Sequence, residues 1–235
     1  MSKEINKPTS SFELLPKSYQ AVKSNLNTFS LLWILPVLSI LGSTIHDKNN
    51  LDVNREFGSA GSLNFGGVPG YAIASAIGIG IIVALVILLF ALIVQAMTYA
   101  LQLEAAKGKT PTLGHLFDVG KKYWLRLLGL AIVIGIVVVI GLIAFIIPGL
   151  IMIRRYFLAP FVLIDKDVTI SEAMKESARI SKPYSGYVWG VLGVTIALSL
   201  PGAIPVIGPI SAFLLGAIYS VAPALRYEEL KKLTK

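Results

Sequence analysis

The sequence predicts an all-α, polytopic membrane helical bundle. Its six transmembrane helices are expected as repeated units, each an interfacial amphipathic helix followed by a transmembrane hairpin, the units forming parallel pseudo-repeats. Composition points there first: of 235 residues, 55% are hydrophobic and only 14% charged, where soluble domains carry about a quarter. Charge placement points there second. Seventeen of the 21 Lys and Arg lie in four short segments: Lys3, Lys7, Lys17, Lys23; Lys107, Lys109, Lys121, Lys122, Arg126; Lys166, Lys175, Arg179, Lys182; and Arg226, Lys231, Lys232, Lys235. Long apolar runs separate these clusters. Third, the stretch after residue 107 aligns with itself when shifted by 57 residues, which marks an internal repeat.

Taken in order, the chain opens on an amphipathic helix in which Phe12, Leu15, Tyr19, Val22 and Leu26 recur at spacings of three and four. Residues 29–45 form the first span; they begin too late for a cleaved signal peptide and are expected to stay in the membrane. An outer loop, 46–70, follows, with Lys48 and Arg55 set against Asp47, Asp52 and Glu56. The second span, 71–103, returns to the second basic cluster. Thr110-Pro111 then opens an amphipathic segment with Leu113, Leu116, Phe117, Tyr123 and Trp124 on its apolar side. Next come a span over 127–147, a hairpin turn at Pro148-Gly149, and a descending span to Ile164. Thr169 with Glu172 forms a capping box before Ile170, Ala173, Met174 and Ile180. The uncharged run 183–225 is too long for one crossing and divides at Pro201-Gly202, Pro205 and Gly208-Pro209. The positive-inside bias puts both termini in the cytoplasm.

The whole chain, 1–235, reads as a single integral membrane domain with repeat-like units 10–106, 107–165 and 166–227. In the 57-residue register Lys109 falls on Lys166, Thr112 on Thr169, Gly129 on Gly186, Pro148 on Pro205 and Leu158 on Leu215. A unit with two spans re-enters the membrane in the same sense, so the pseudo-axis is expected along the membrane normal. The small pairs Ala131/Gly135, Gly186/Gly190 and Ala212/Gly216 suit close packing between spans of one compact bundle, or else a dimer seam.

One stretch is distinctive: Ile147-Pro148-Gly149-Leu150, then Arg155-Tyr156-Phe157-Leu158-Ala159-Pro160-Phe161, Asp165, Ser171-Glu172-Ala173, Ser177 and Lys182. It resembles a group of uncharacterised prokaryotic six-span membrane proteins related to the membrane domain of glycerophosphodiester phosphodiesterases. The resemblance covers the second half well and the first half in outline. It implies six spans and a cytoplasmic-membrane location but no agreed substrate. The fused relatives carry a hydrolase that these 235 residues lack.

No catalytic constellation is legible. There is no cysteine, His46 and His115 stand in no metal-ligand spacing, and Gly58-Ser59-Ala60-Gly61-Ser62 lacks the G-x-S-x-G order of a nucleophile elbow. Expected catalytic, cofactor-binding and metal residues are therefore none, and no cofactor is implied. Arg154 and Arg155 are the exception to an otherwise uncharged run of span residues. Charge at that depth is costly and commonly functional, unless both side chains snorkel to the surface. The candidate anion or lipid contacts are Arg154, Arg155, Lys121, Lys122, Arg126, Lys175, Arg179 and Lys182. The leading expectation is a non-enzymatic, lipid-interacting protein of the prokaryotic cytoplasmic membrane, involved in envelope organisation, with anionic membrane lipids as partners and no nucleic acid. A homo-oligomer or a membrane-protein partner stays open. The alternative is a transporter or lipid-handling carrier for an anionic substrate using Arg154 and Arg155, with a membrane-embedded enzyme third.

Overall fold

A computed structural model describes residues 7–34, 37, 70–204 and 208–234, and among these every regular element is helical. The chain divides into two compact units, one of residues 1–32 and 93–235, the other of residues 33–92. The expected first span lies mostly, and the expected outer loop almost wholly, outside the described residues. Among the described residues, five helical stretches are long and apolar enough to cross a membrane: Ile79–Ala106, Leu113–Ala144, Ile146–Lys166, Ser185–Ala203 and Gly208–Leu233.

Helix α1 spans Leu14–Ser24, and the chain is helical again over 26–34. Its buried stripe is Leu14, Ser18 and Val22, continued by Asn25, Phe29 and Leu32. Of the expected apolar face only Val22 is buried; Phe12, Leu15, Tyr19 and Leu26 are exposed. The reason is a second stripe beside the first. The Ser18 hydroxyl, which periodicity of apolar residues passes over, donates to the Ile218 carbonyl at 2.8 Å and accepts from the Val221 amide at 3.2 Å. Those bonds turn α1 so that Leu14 and Val22 face inward.

Helix α2 runs over Gly70–Ala106 and α3 over Leu113–Ala144, capped by Thr112, whose side chain accepts from the His115 amide. The interfacial segment expected after Thr110 is thus not a separate helix but the first third of α3. Nothing in its sequence stops a helix before residue 144. At 1.5 Å per residue, 32 residues reach about 48 Å, well beyond a hydrocarbon core of about 30 Å. The corresponding segment after Thr169 does break: α6, Ile170–Ser181, ends before Pro183, and α7 starts at Ser185 and ends at Ser199. Proline there supplies no amide donor and cannot continue the ladder.

The hairpin between α3 and α4 (Ile146–Tyr156) turns at Phe145, in extended conformation, not at Pro148-Gly149. Pro148 instead sits in the first turn of α4, where its missing N–H costs no helical bond. Gly149 supplies the close approach: a Cβ on it would lie 2.5 Å from Leu142 side-chain atoms and 2.9 Å from the Leu142 amide nitrogen. Helix α5, Ala159–Lys166, continues after a break at Phe157-Leu158 and ends at Asp167, which takes the left-handed conformation with φ 49°. A 3-10 turn, Leu200–Ala203, precedes α8, Gly208–Tyr219; α9, Ala222–Leu233, follows a second break. Both breaks are followed by Ala-Pro at the first two helical positions, Ala159-Pro160 and Ala222-Pro223.

The main core gathers where the ends of α2, α5 and α9 meet α6 and the adjoining ends of α3 and α7. Leu103, Leu130, Leu158, Phe161, Leu163, Ile180, Val188, Tyr227 and Leu230 are buried there. The far portions of the long helices are otherwise: Ile136, Val139, Ile140 and Ile143 of α3, Ile147 of α4, Ile196 of α7 and Leu214 of α8 are all exposed. Of the small pairs, Gly135, Gly186 and Gly216 face open space, while Gly190 meets Ser11 and Ala212 packs against Gly202.

Candidate functional site

Two sites stand at the charged end of the helices. The first is a buried carboxylate. Asp165, whose side chain is 7% exposed, accepts from the Lys107 ammonium at 2.7 Å, from the Tyr227 hydroxyl at 2.7 Å and from Lys231. Lys107 follows α2, Asp165 belongs to α5, and Tyr227 and Lys231 to α9, so one carboxylate joins three helix ends. Beside it, Arg226 is fully buried, donating to Glu229 at 2.6 Å and to the Thr9 carbonyl at 2.7 Å. These contacts pair the Asp165 carboxylate and bind Arg226 through its terminal nitrogens, while Arg226 Nε is buried without a hydrogen-bond partner.

The second site is different. A cavity of about 740 Å³ opens between the end of α4, helix α6 and Val133 of α3. Arg155, Lys175, Arg179 and Lys182 line it together with apolar walls from Ile170, Met174 and Ala178. The capping box holds α6 in place at its start: Thr169 accepts from the Glu172 amide, and the Glu172 carboxylate accepts from the Thr169 amide at 3.0 Å. That carboxyl lies below its usual range because of the Thr169 amide and hydroxyl. The Ser177 hydroxyl donates to the Arg155 carbonyl at 2.7 Å, which pins the last turn of α4 against α6 and carries the Arg155 side chain to the cavity wall.

The four cations are not equivalent. Arg179 grips Glu176 through two nitrogens, each at 2.7 Å, and also donates to the Thr234 carbonyl at 3.2 Å. The Arg179 hydrogen bonds, helped by Lys166, hold the Glu176 carboxyl down to about 2. Arg155, Lys175 and Lys182 form no ion pair and no side-chain hydrogen bond among the described residues. An apolar trough edged by three cations outside any ion pair, of which Lys175 still feels the Glu172 carboxylate, presents what an amphiphilic anion needs: a place for chains and a place for charge.

The remaining candidate residues go elsewhere. Lys122 and Arg126 both bind Asp167, at 2.7 and 2.8 Å, and Lys122 foremost draws the Asp167 carboxyl below its usual range. Lys121 pairs with Asp118 at 3.0 Å and lies over the Phe117 ring. Arg154 does not line the cavity, and its Nε is buried with no partner. His115 is exposed, His46 lies outside the described residues, and among the described residues no three His, Asp or Glu side chains gather as a metal site. Sequence reading passed over the apolar wall of Val133 and the Asp165 network. The signal available for the second was Asp165 itself, one acidic residue between an apolar run and a basic cluster.

Fold and site together define the class: a helical protein whose apolar helices fit an integral membrane protein, with Asp165, Lys107, Lys231, Arg226 and Glu229 paired where helix ends meet. Compared with models of protein families, with curated proteins and with solved structures, the chain gives no match.

Proposed function

We propose that this chain is a non-enzymatic, six-span protein of the prokaryotic cytoplasmic membrane that holds anionic lipid and supports envelope organisation. The observation that carries the reading is the cavity with Arg155, Lys175 and Lys182 unpaired beside apolar walls. Helix α1 supports it: exposed Phe12, Leu15, Tyr19 and Leu26 next to Lys17 and Lys23 make the surface of a helix lying among lipid headgroups. The sixth span is the apolar stretch 29–45, and an even count agrees with basic residues near both termini on the cytoplasmic side. Thr112 and Thr169, both N-caps and 57 residues apart, support parallel repeats. The resemblance to six-span relatives of phosphodiesterase membrane domains belongs to the same proposal.

The test is the lipid that accompanies the protein. Each basic residue near an anionic surface contributes about 1 kcal/mol. Arg155→Gln, Lys175→Gln and Lys182→Gln combined should therefore lower bound phosphatidylglycerol or cardiolipin by roughly a hundredfold in affinity, read by mass spectrometry of the purified protein. Lipid content equal to that of the parent protein overturns the reading. Orientation has its own test: single cysteines at Ser59, Asp167 and Thr234 should label from outside only at Ser59, and outside labelling at Asp167 would overturn the six-span topology. A carrier for an anionic substrate is the second reading, favoured by one observation, the buried and unpartnered Nε of Arg154. It requires Arg154→Met to abolish substrate movement into vesicles.

A further inference from the structure

A second cavity, of about 310 Å³, is chemically unlike the first. It lies among α2, α7 and the two breaks in the descending helices, and no residue lining it is Lys, Arg, Asp or Glu. From α2 come Gln95, Tyr99 and Gln102, spaced four and three apart and so on one helical face. Two amides within a run of apolar span residues are costly unless they bind something. Among the described residues neither amide has a hydrogen-bond partner, and the Tyr99 ring meets Phe161 edge-on at 5.6 Å without engaging its hydroxyl.

The opposite wall adds to this. Ser220 stands in the break between α8 and α9, and its hydroxyl is buried with no partner. Thr195 of α7 donates to the Val191 carbonyl at 2.9 Å, which leaves its oxygen free to accept. Phe157 brings in the other break. Pro223 lacks the N–H that would bond the carbonyl of Tyr219, four residues earlier, and both residues line the cavity, so the interrupted backbone offers an acceptor as well. Interrupted helices in membrane proteins commonly line binding sites, because their freed backbone groups seek partners.

We infer that this cavity binds the free hydroxyl and neighbouring ester groups of an uncharged lipid. The absence of lining charge excludes an anionic headgroup, which would be buried without a counter-ion. The amides and hydroxyls provide donors and acceptors for a neutral one, and Phe157, Phe161 and Leu198 pack against its first chain carbons. Since the wall is formed on helices of membrane-crossing length, the occupant arrives from the bilayer. The site does not depend on the cationic cavity.

Photo-crosslinking decides it. The full chain, reconstituted in phosphatidylcholine vesicles, is exposed to a diazirine-bearing diacylglycerol or to the matching phosphatidic acid. Diacylglycerol should label peptides containing 95–102 or 195–220, and phosphatidic acid should not. Gln95→Leu with Gln102→Leu should cut that labelling by about fivefold or more, as loss of two hydrogen bonds implies, and Ser220→Ala should lower it by a smaller factor. Ser220→Ala changes one atom and serves if the double variant fails to fold. Combined Gln substitution of Arg155, Lys175 and Lys182 should leave it unchanged. Equal labelling by phosphatidic acid, labelling indifferent to all three cavity substitutions, or displacement by millimolar glycerol, which would assign the cavity to a small polyol, each overturns the inference.

Discussion

The charged end of the molecule and the far portions of its helices are built for different solvents. At the charged end, side chains as polar as Asp165 and Arg226 are buried because each finds partners on other helices, and Leu163, Ile180 and Leu230 fill the space around them. Toward the far ends, isoleucines, valines and leucines stand exposed over turn after turn. A soluble protein rarely leaves an apolar patch of that extent uncovered, whereas hydrocarbon chains solvate it without cost. The contrast teaches that packing specificity is concentrated where water is near. There the hydrophobic effect drives side chains together; among lipid tails it does not.

The strongest way to break that comparison is at Asp165. Asp165→Asn leaves Lys107 and Lys231 without their shared anion, and removal of one partner from a buried pair costs about 3–5 kcal/mol. Thermal melting in detergent should show a large fall. If Lys107→Met, Lys231→Met and Glu228→Gln are added to Asp165→Leu, most of the loss should return, since the cations stranded by loss of Asp165 and the Glu228 carboxylate paired with Lys231 are removed together.

A middle-sized effect separates a tight contact at the far end from the open surface around it. Gly149→Val forces a side chain into Leu142 across the hairpin and should destabilise by about 1–3 kcal/mol or more. Gly135→Val, with no atom within 4 Å of its Cβ, should stay within about 0.5 kcal/mol. Equal melting temperatures for the two variants would show that the α3–α4 hairpin is not closed as described.

The smallest effect concerns pH at the charged end. Glu176 is held by Arg179 first and Lys166 second, to about 2 from an ordinary 4.5. A depressed carboxyl contributes fully above its unfolded value and loses that contribution as pH falls through the folded one. The tether of α6 should therefore weaken progressively from about pH 4.5 to 2, seen as faster amide exchange in α6. Arg179 is more than half exposed, so the effect should stay under about 1 kcal/mol, and Glu176→Gln should remove the pH dependence.

Helical class, the placement of most spans and the Thr169 cap were legible in the sequence, because each depends on neighbours a few residues away; the helix expected to open at Thr110-Pro111 is capped two residues later, at Thr112. Apolar length decides whether a helix can cross a bilayer, and a Thr-x-x-Glu pattern satisfies its own amides locally. Even there, local signals misled in two places. Pro148-Gly149 has the composition of a turn, yet the chain turned three residues earlier, because proline is tolerated in a first helical turn and Gly149 was needed against Leu142. The apolar face of α1 was read one stripe away from the buried one, because Ser18, a polar residue, makes the bonds that orient it.

The basic residues show the division most clearly. Their types and positions in the chain are set by sequence, and so is the separation of charge from apolar length that makes this a membrane-type helical protein. Which cations are spent on carboxylates and which remain unpaired was decided only when distant segments met. Asp167, at the left-handed end of α5, reaches back 45 residues to neutralise Lys122, and Asp165 draws in Lys231 from 66 residues ahead. Arg155, Lys175 and Lys182 are left over by that pairing. Pairing depends on distances of a few ångströms between segments far apart in the chain, and no local pattern encodes those.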